Sequence, residues 1–454
     1  MDRGRRWTLV ATILGSSMAF IDGSVVNVAL PAIQRDLGGG VTAQLWVVDA
    51  YLLTLGSLIL VGGSLGDIFG EIRVFALGVA SFGVASVLCA VAPDATTLIV
   101  FRGIQGVAGA LLTPASLAVI TSTFSGQERG AAIGQWTAWS GVSFVIGPLL
   151  GGWLIDVSSW RAIFLINIPI AVGTLALVTR IGGHRQKRKK DVRVDIPGAL
   201  LCAAGLGLLV GGFIEQPRLG WGDPLIPGAL AGGTALLAAF VVYEMHTPMP
   251  MLPLRLFGLR NFSVTNVETF SVYGALSGWS VFLTLFLQEF SHYSPFRAGL
   301  AGLPVTIVMF LLSPRVGRMS MRFGPRVFMM IGPIIAGASL LALARMPVHL
   351  DYWRDLLPPL LGFSVGLSLT VAPLTTTVLS DAGPGDAGIA SGVNNAVARV
   401  AGLVAVAVLG IAATAGTGHL TVHGYHATMA VVAAMLALGG LIGGAGIRNS
   451  TQLV

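Results

Sequence analysis

Charge is scarce in this chain. Of 454 residues only 10% are Asp, Glu, Lys or Arg, against roughly 25% in ordinary soluble domains. A soluble protein of this length could not cover its surface with so few charges. That excludes a soluble enzyme, a nucleic-acid-binding protein and a disordered chain. Cysteine is scarcer still: Cys89 and Cys202 are the two present, both inside apolar runs. They form no disulfide framework and say nothing of redox compartment. No Gly-Lys-Ser/Thr phosphate loop occurs, which disfavours ATP-driven work. No cleavable leader is evident. The first apolar run, Thr8 to about Leu30, is too long for a leader core and holds Asp22, so it reads as a retained spanning helix. What is abundant is oil: 54% of residues are hydrophobic and 61 are glycine, with a mean hydropathy of +0.82. This is the composition of a polytopic membrane protein with closely packed helices.

A spanning helix needs about 20 mostly apolar residues. About fourteen such stretches follow one another, from 8–30 and 44–66, through 162–181, 262–290 and 298–317, to 427–447. They are continuous rather than alternating, so a strand barrel is excluded and the fold class is all-α. The Lys/Arg bias sets the orientation. With the N-terminus inside, most of the 27 basic residues fall on the cytoplasmic side, and the C-terminus lies there too. The bias accounts for a pI of 9.9 without nucleic acid. The cluster Arg180, Arg185, Lys187, Arg188, Lys189, Lys190 and Arg193 reads as a topology signal beside lipid headgroups.

The chain also echoes itself. The run from Gly63 to Gly70, Gly-Ser-Leu-Gly-Asp-Ile-Phe-Gly, recurs loosely from Gly317 to Gly324, with Met321 in the place of Asp67. Such repeats suggest two related bundles around a central cavity. The predicted organisation is a six-helix bundle over 1–183, a basic cytoplasmic linker over 184–194, two extra helices over 195–250, and a second six-helix bundle over 251–454.

Several segments carry a resemblance. The first helix reads Ile21-Asp22-Gly-Ser-Val-Val-Asn27-Val-Ala-Leu-Pro31. The loop after the second carries Gly63, Gly66, Asp67, Gly70 and Arg73. The fourth begins Arg102-Gly-Ile-Gln105-Gly106, and the fifth holds Gly141, Gly147-Pro148, Gly151 and Gly152. Trp160, Arg161, Phe164, Asn167 and Pro169 open the sixth, and late in the chain stands Ala390-Ser391-Gly392-Val-Asn394-Asn395-Ala-Val-Ala-Arg399. In this order and at these places the chain resembles the major facilitator superfamily, more narrowly its fourteen-helix drug:proton antiporter branch. One departure stands out: Ile68 and Glu71 occupy positions where members usually carry Arg or Lys, and only Arg73 keeps the basic character.

The resemblance implies proton-driven, alternating-access efflux of lipophilic, often cationic, drugs across the cytoplasmic membrane. It implies a small-molecule substrate and protons as partners, a monomer in the bilayer, and no cofactor. A carrier for another cargo (a metabolite, peptide or anion) is the alternative, ahead of a sensor or enzyme. The gating motif would be Gly63, Asp67, Gly70 and Arg73, with Asp67 facing the helix that starts near Ala387. The antiporter motif would be Gly141, Gly147, Pro148, Gly151 and Gly152, four glycines offering a smooth packing face.

The residues themselves point the same way. A carboxylate at helix centre costs about 2.5–3.5 kcal/mol on insertion scales, so Asp22 must face a cavity or a partner. Asp22 lies about 12 Å below the outer end of its helix, and Asp49 and Arg102 about 7 Å below theirs, so the three are candidates for one proton-coupling cluster. Glu268, about 9 Å from a cytoplasmic helix end, reads as a cavity-facing carboxylate for proton or cationic substrate. Asp22, Asn27, Asn394, Asn395 and Arg399 are further substrate-contact candidates, and Trp46, Trp136, Trp139, Phe144, Tyr273 and Trp279 are candidate aromatic lining. His419, His423 and His426 are spaced like metal ligands but sit in a Gly/Thr loop that reads as wet, so no metal is expected.

Overall fold

A computed structural model gives the structure of residues 3–180, 194–248, 250–381 and 383–449. The basic cluster from Arg185 to Arg193 lies outside the described residues, as do the side chains of Phe144 and of 380–388, where the partner expected for Asp67 falls. Among the described residues there are sixteen α-helices and no strand.

Thirteen helices are long and apolar enough to cross a membrane. The sixth predicted span, 162–181, differs. It is a shorter apolar stretch broken into α6 (Ala162–Leu165) and α7 (Asn167–Val178). The cause is Pro169, which has no N–H for the Leu165 carbonyl and crowds it. The span predicted at 298–317 is likewise two pieces, α11 (Pro295–Ala301) and α12 (Leu303–Phe323), with Pro304 just inside the second. Helix α1 (Arg3–Leu37) is longer than its apolar core. It stops where Gly38, Gly39 and Gly40 all take positive φ, at 74°, 88° and 64°, a run that only glycine makes without strain.

The described chain falls into two compact units. The first is Met1–Leu209, Ala229–Met251 and Ser294–Gly299; the second is Val210–Gly228, Leu252–Tyr293 and Leu300–Val454. In the first unit, α2 (Gly40–Phe69) and α4 (Ala95–Thr123) pack closely. Gly62 leaves room for the Ala110 carbonyl and Gly106 for that of Tyr51, and Thr54 Oγ1 donates to the Gly103 carbonyl at 2.7 Å. A core of Met18, Tyr51, Phe75, Phe82, Leu112 and Val119 joins α1, α2 and α4 to α3 (Glu71–Ala90). Helix α5 (Gly126–Val157) lies along α1. The extra helices α8 (Ile196–Leu219) and α9 (Leu225–His246) meet where Gly233 abuts the Gly205 carbonyl.

The second unit holds α12, α10 (Arg260–Glu289), α13 (Pro325–Leu343), α14 (Leu357–Asp381), α15 (Gly383–Thr414) and α16 (Val422–Gly446). Small residues again set the crossings: Gly366 against the Gly332 carbonyl, Gly337 against that of Ala433. Outward faces carry Leu77, Val84, Val100, Phe310 and Leu438 exposed. In water these would be a liability; acyl chains solvate them.

Helix α4 starts on a polar cap: Asp94 accepts from Thr97 N–H and hydroxyl, both at 2.8 Å. Those bonds hold its carboxyl below the usual range. The cap is therefore present above the ordinary carboxylate range and is lost as pH falls through the lowered value. Asp94→Ala is expected to speed hydrogen exchange in the first turn of α4 at neutral pH, while the native chain shows that fraying only in acid.

Candidate functional site

Asp22 sits midway along α1, where α5 comes closest. Gly147 and Gly151 are one turn apart on α5, and a side chain on either would strike Ser24 or Val25. The close approach packs α5 against the turn that carries Asp22. From another side α4 presents Arg102 and Gln105, three residues apart and thus on one face. Ser86 of α3 and Asn167, the first residue of α7 after the helix break, complete the surround. All five are buried, none more than 1% exposed.

The bonds form a closed network. Arg102 Nη1 donates to Asp22 Oδ2 at 2.5 Å and to Gln105 Oε1 at 2.6 Å. Gln105 Nε2 donates to Asp22 Oδ1 and to Ser86 Oγ, each at 2.9 Å. Asn167 Nδ2 reaches Ser86 Oγ at 3.2 Å and Asp22 Oδ1 at 3.5 Å. Arg102 Nε is tied to the Val47 carbonyl at 3.1 Å. Its guanidinium also lies 4.3 Å from the Tyr51 ring centroid and 5.7 Å from that of Phe164. A buried ion pair needs its other donors and acceptors bonded; here Asp22 accepts at both oxygens and Arg102 donates from Nε and Nη1, while Asn167 Oδ1 has no partner among the described residues. Protonating Asp22 would cancel the pair. Arg102 would then rest on an amide, a carbonyl and two ring faces, a weaker hold on a buried cation.

The structure does not draw Asp49 into this network. It is fully buried on α2, and neither carboxylate oxygen has a hydrogen-bond partner among the described residues. The contacts between α2 and Arg102 are made by the Val47 carbonyl and the Tyr51 ring instead. Asn27 is buried further along α1. Glu268 of α10 is buried, its carboxylate beside Gly443 of α16. Asn394 ties α15 to α10, donating to Thr269 Oγ1 at 2.8 Å and Asn266 Oδ1 at 3.2 Å. Asn395 is exposed and bonds its own helix at the Ser391 carbonyl. Arg399 is half-buried and acts electrostatically on Tyr273.

At the C-terminal end of α2, Gly70 takes φ 95° and hands its N–H to the Gly66 carbonyl at 2.9 Å. Gly63 and Asp67 are half-buried and Arg73 is exposed. Glu71, the departure from the usual basic residue, accepts from Ser122 Oγ at 2.5 Å and joins α3 to the end of α4. Of the four motif glycines on α5, Gly147, Gly151 and Gly152 pack against neighbours. Gly141 has nothing within 4 Å. Six residues from Gly147 is about 240° around the helix, so Gly141 lies off the packing face.

Among the aromatics, Trp136 donates to Ser16 Oγ at 2.8 Å, Trp139 is exposed, Trp46 and Tyr273 are half-buried, and Trp279 meets Phe363 at a tilt with ring centroids 4.7 Å apart. His426 bonds the Met346 carbonyl at 2.9 Å, and no metal-holding group occurs among the described residues. Gln105, Asn167 and Ser86 were legible only as motif members or not at all. The three-residue spacing of Arg102 and Gln105 was the one available signal.

The sequence profile of the Major Facilitator Superfamily matches residues 12–406. The puromycin resistance protein of Streptomyces alboniger is 34% identical, over 99% of this chain and 93% of that one. The cephamycin export protein of Amycolatopsis lactamdurans is 35% identical, over 95% of this chain and 90% of that one. An auto-inhibited POT-family peptide transporter of known structure is 15% identical and superposes with a TM-score of 0.72, over 100% of this chain and 99% of that one, a likeness of fold. With a two-unit bundle of apolar helices and a match of this extent, the chain belongs to the Major Facilitator Superfamily.

Proposed function

We propose that the chain exports lipophilic, often cationic, drugs across the cytoplasmic membrane by proton-driven alternating access, as a monomer with both termini in the cytoplasm. The resistance and export named for its relatives supports the cargo class. The observation that carries the coupling is the Asp22–Arg102 pair, two charges sealed at 0% and 1% exposure. A proton entering from outside neutralises Asp22 and loosens Arg102 from α1, and the site releases its cargo outward. The empty protonated carrier returns and sheds the proton inside.

Asp22→Asn keeps the shape of the side chain and removes the proton site. In proteoliposomes with an imposed proton gradient, the variant is expected to insert normally yet lose uphill transport of dyes and antibiotics. Exchange across equal pH should survive, because exchange needs no net proton movement. Normal uphill rates in that variant would defeat the coupling assignment. Running the panel across cationic, neutral and anionic compounds separates drug export from a carrier for another cargo.

A further inference from the structure

Glu268 is fully buried in the second unit, and neither of its carboxylate oxygens has a hydrogen-bond partner among the described residues. Its pocket is a notch made by Gly443 of α16. A Cβ on Gly443 would collide with Glu268 Oε2 and would lie 2.9 Å from the carbonyl oxygen of Met329 on α13. The Glu268 and Met329 oxygens therefore flank the same gap. The Met329 carbonyl is itself short of a donor. In an α-helix it would accept the N–H four residues on, and that residue is Pro333, inside α13, which has none. Two acceptors thus border one buried notch. An ionised carboxylate would leave both unsatisfied and place its charge beside a carbonyl dipole of the same sign. A carboxylic acid satisfies both with one O–H.

We propose that Glu268 is a second proton-binding site: it takes up a proton to become a neutral acid whose O–H donates to the Met329 carbonyl, tying α10 to α13 across the Gly443 notch. Two arginines on these elements are held by backbone carbonyls. Arg260 of α10 donates from Nε to the Gly446 carbonyl at 2.8 Å. Arg326 of α13 donates from Nε to the Gly444 carbonyl at 2.7 Å. No ion pair involves Glu268 among the described residues. The tie goes beyond the transport reading and holds whether or not Asp22 couples protons.

The test is infrared difference spectroscopy of the full chain in lipid nanodiscs, native minus Glu268→Gln. At neutral pH the difference is expected to contain the C=O stretch of a protonated carboxyl. A difference showing only ionised carboxylate bands would overturn the proposal. Pro333→Ala supplies the missing N–H, so the protonated-acid band should move to higher frequency as its bond to Met329 is displaced. An unmoved band removes Met329 as the acceptor. Thermal melting gives an independent arm. The folded native chain keeps a proton that the unfolded chain gives up, so its stability falls as pH is raised above the ordinary carboxylate range. Glu268→Gln retains an N–H donor and nothing to titrate, and should melt with a flatter pH dependence. Equal slopes for the two proteins would refute the tie.

Discussion

Arg102→Met is expected to cost the chain about 3–5 kcal/mol, because removing one partner of a buried pair strands the other. That is a large share of the stability of a typical fold. Asp22 would remain in a site with no counter-charge, its other donors being the amides of Gln105 and Asn167. The single variant should express poorly and melt far below the native chain. Adding Asp22→Asn removes the stranded charge, so the double variant should regain most of the melting temperature. It should still fail to transport, since neither the proton site nor the cation is present. The recovery is a coupling energy, and a double-mutant cycle measures it directly. If the two substitutions simply add, the pair does not hold the fold. If Arg102→Met pumps at native rates, the network has no part in transport.

Gly147→Val should be nearly as severe, for a different reason. A Cβ there collides with Ser24 Oγ and lies 3.0 Å from the Ile21 carbonyl oxygen, the residues on either side of the turn that carries Asp22. Overpacking alone costs about 1–3 kcal/mol. The larger effect is geometric: prising α5 from α1 turns Asp22 away from Arg102, and charge-assisted bonds tolerate little misalignment. Efflux should fall to background even in protein that still reaches the membrane. Gly141→Val is the control, since that position has open space around it. Equal loss at 141 and 147 would show that α5 needs glycine for something other than its seam with α1.

Crossing helices are legible from sequence because lipid leaves the backbone no other partner, so each span must be a long apolar run. Where a run is interrupted, the same rule fails locally. The 162–181 stretch reads as one helix by hydropathy, yet Pro169 splits it, and the split sets Asn167 at a helix start beside Asp22. Depth was legible too, from residue counts along each helix, and it brings Asp22 level with Arg102. Azimuth was not. Asp49 has a similar depth to Arg102, but the face of α2 that meets Arg102 shows the Val47 carbonyl and the Tyr51 ring. Glu268 shows the same gap: depth marks it as intramembrane, while only packing reveals that it looks at Gly443. Neutral polar residues leave the faintest trace. Gln105, Asn167 and Ser86 are inexpensive enough in an apolar helix that nothing in composition singles them out.

One of the two thiols touches the network. Cys89 Sγ donates to Gln105 Oε1 at 3.6 Å, the oxygen that also accepts from Arg102. An S–H bond vibrates in a window of the infrared where protein is otherwise silent, and its frequency follows the strength of the bond it makes. When Arg102 shifts, Gln105 Oε1 changes its share of donors and the Cys89 band must move with it. On the proposed coupling, the molecule carries its own label for that step, and time-resolved spectra of unmodified protein would follow the turnover of the pair.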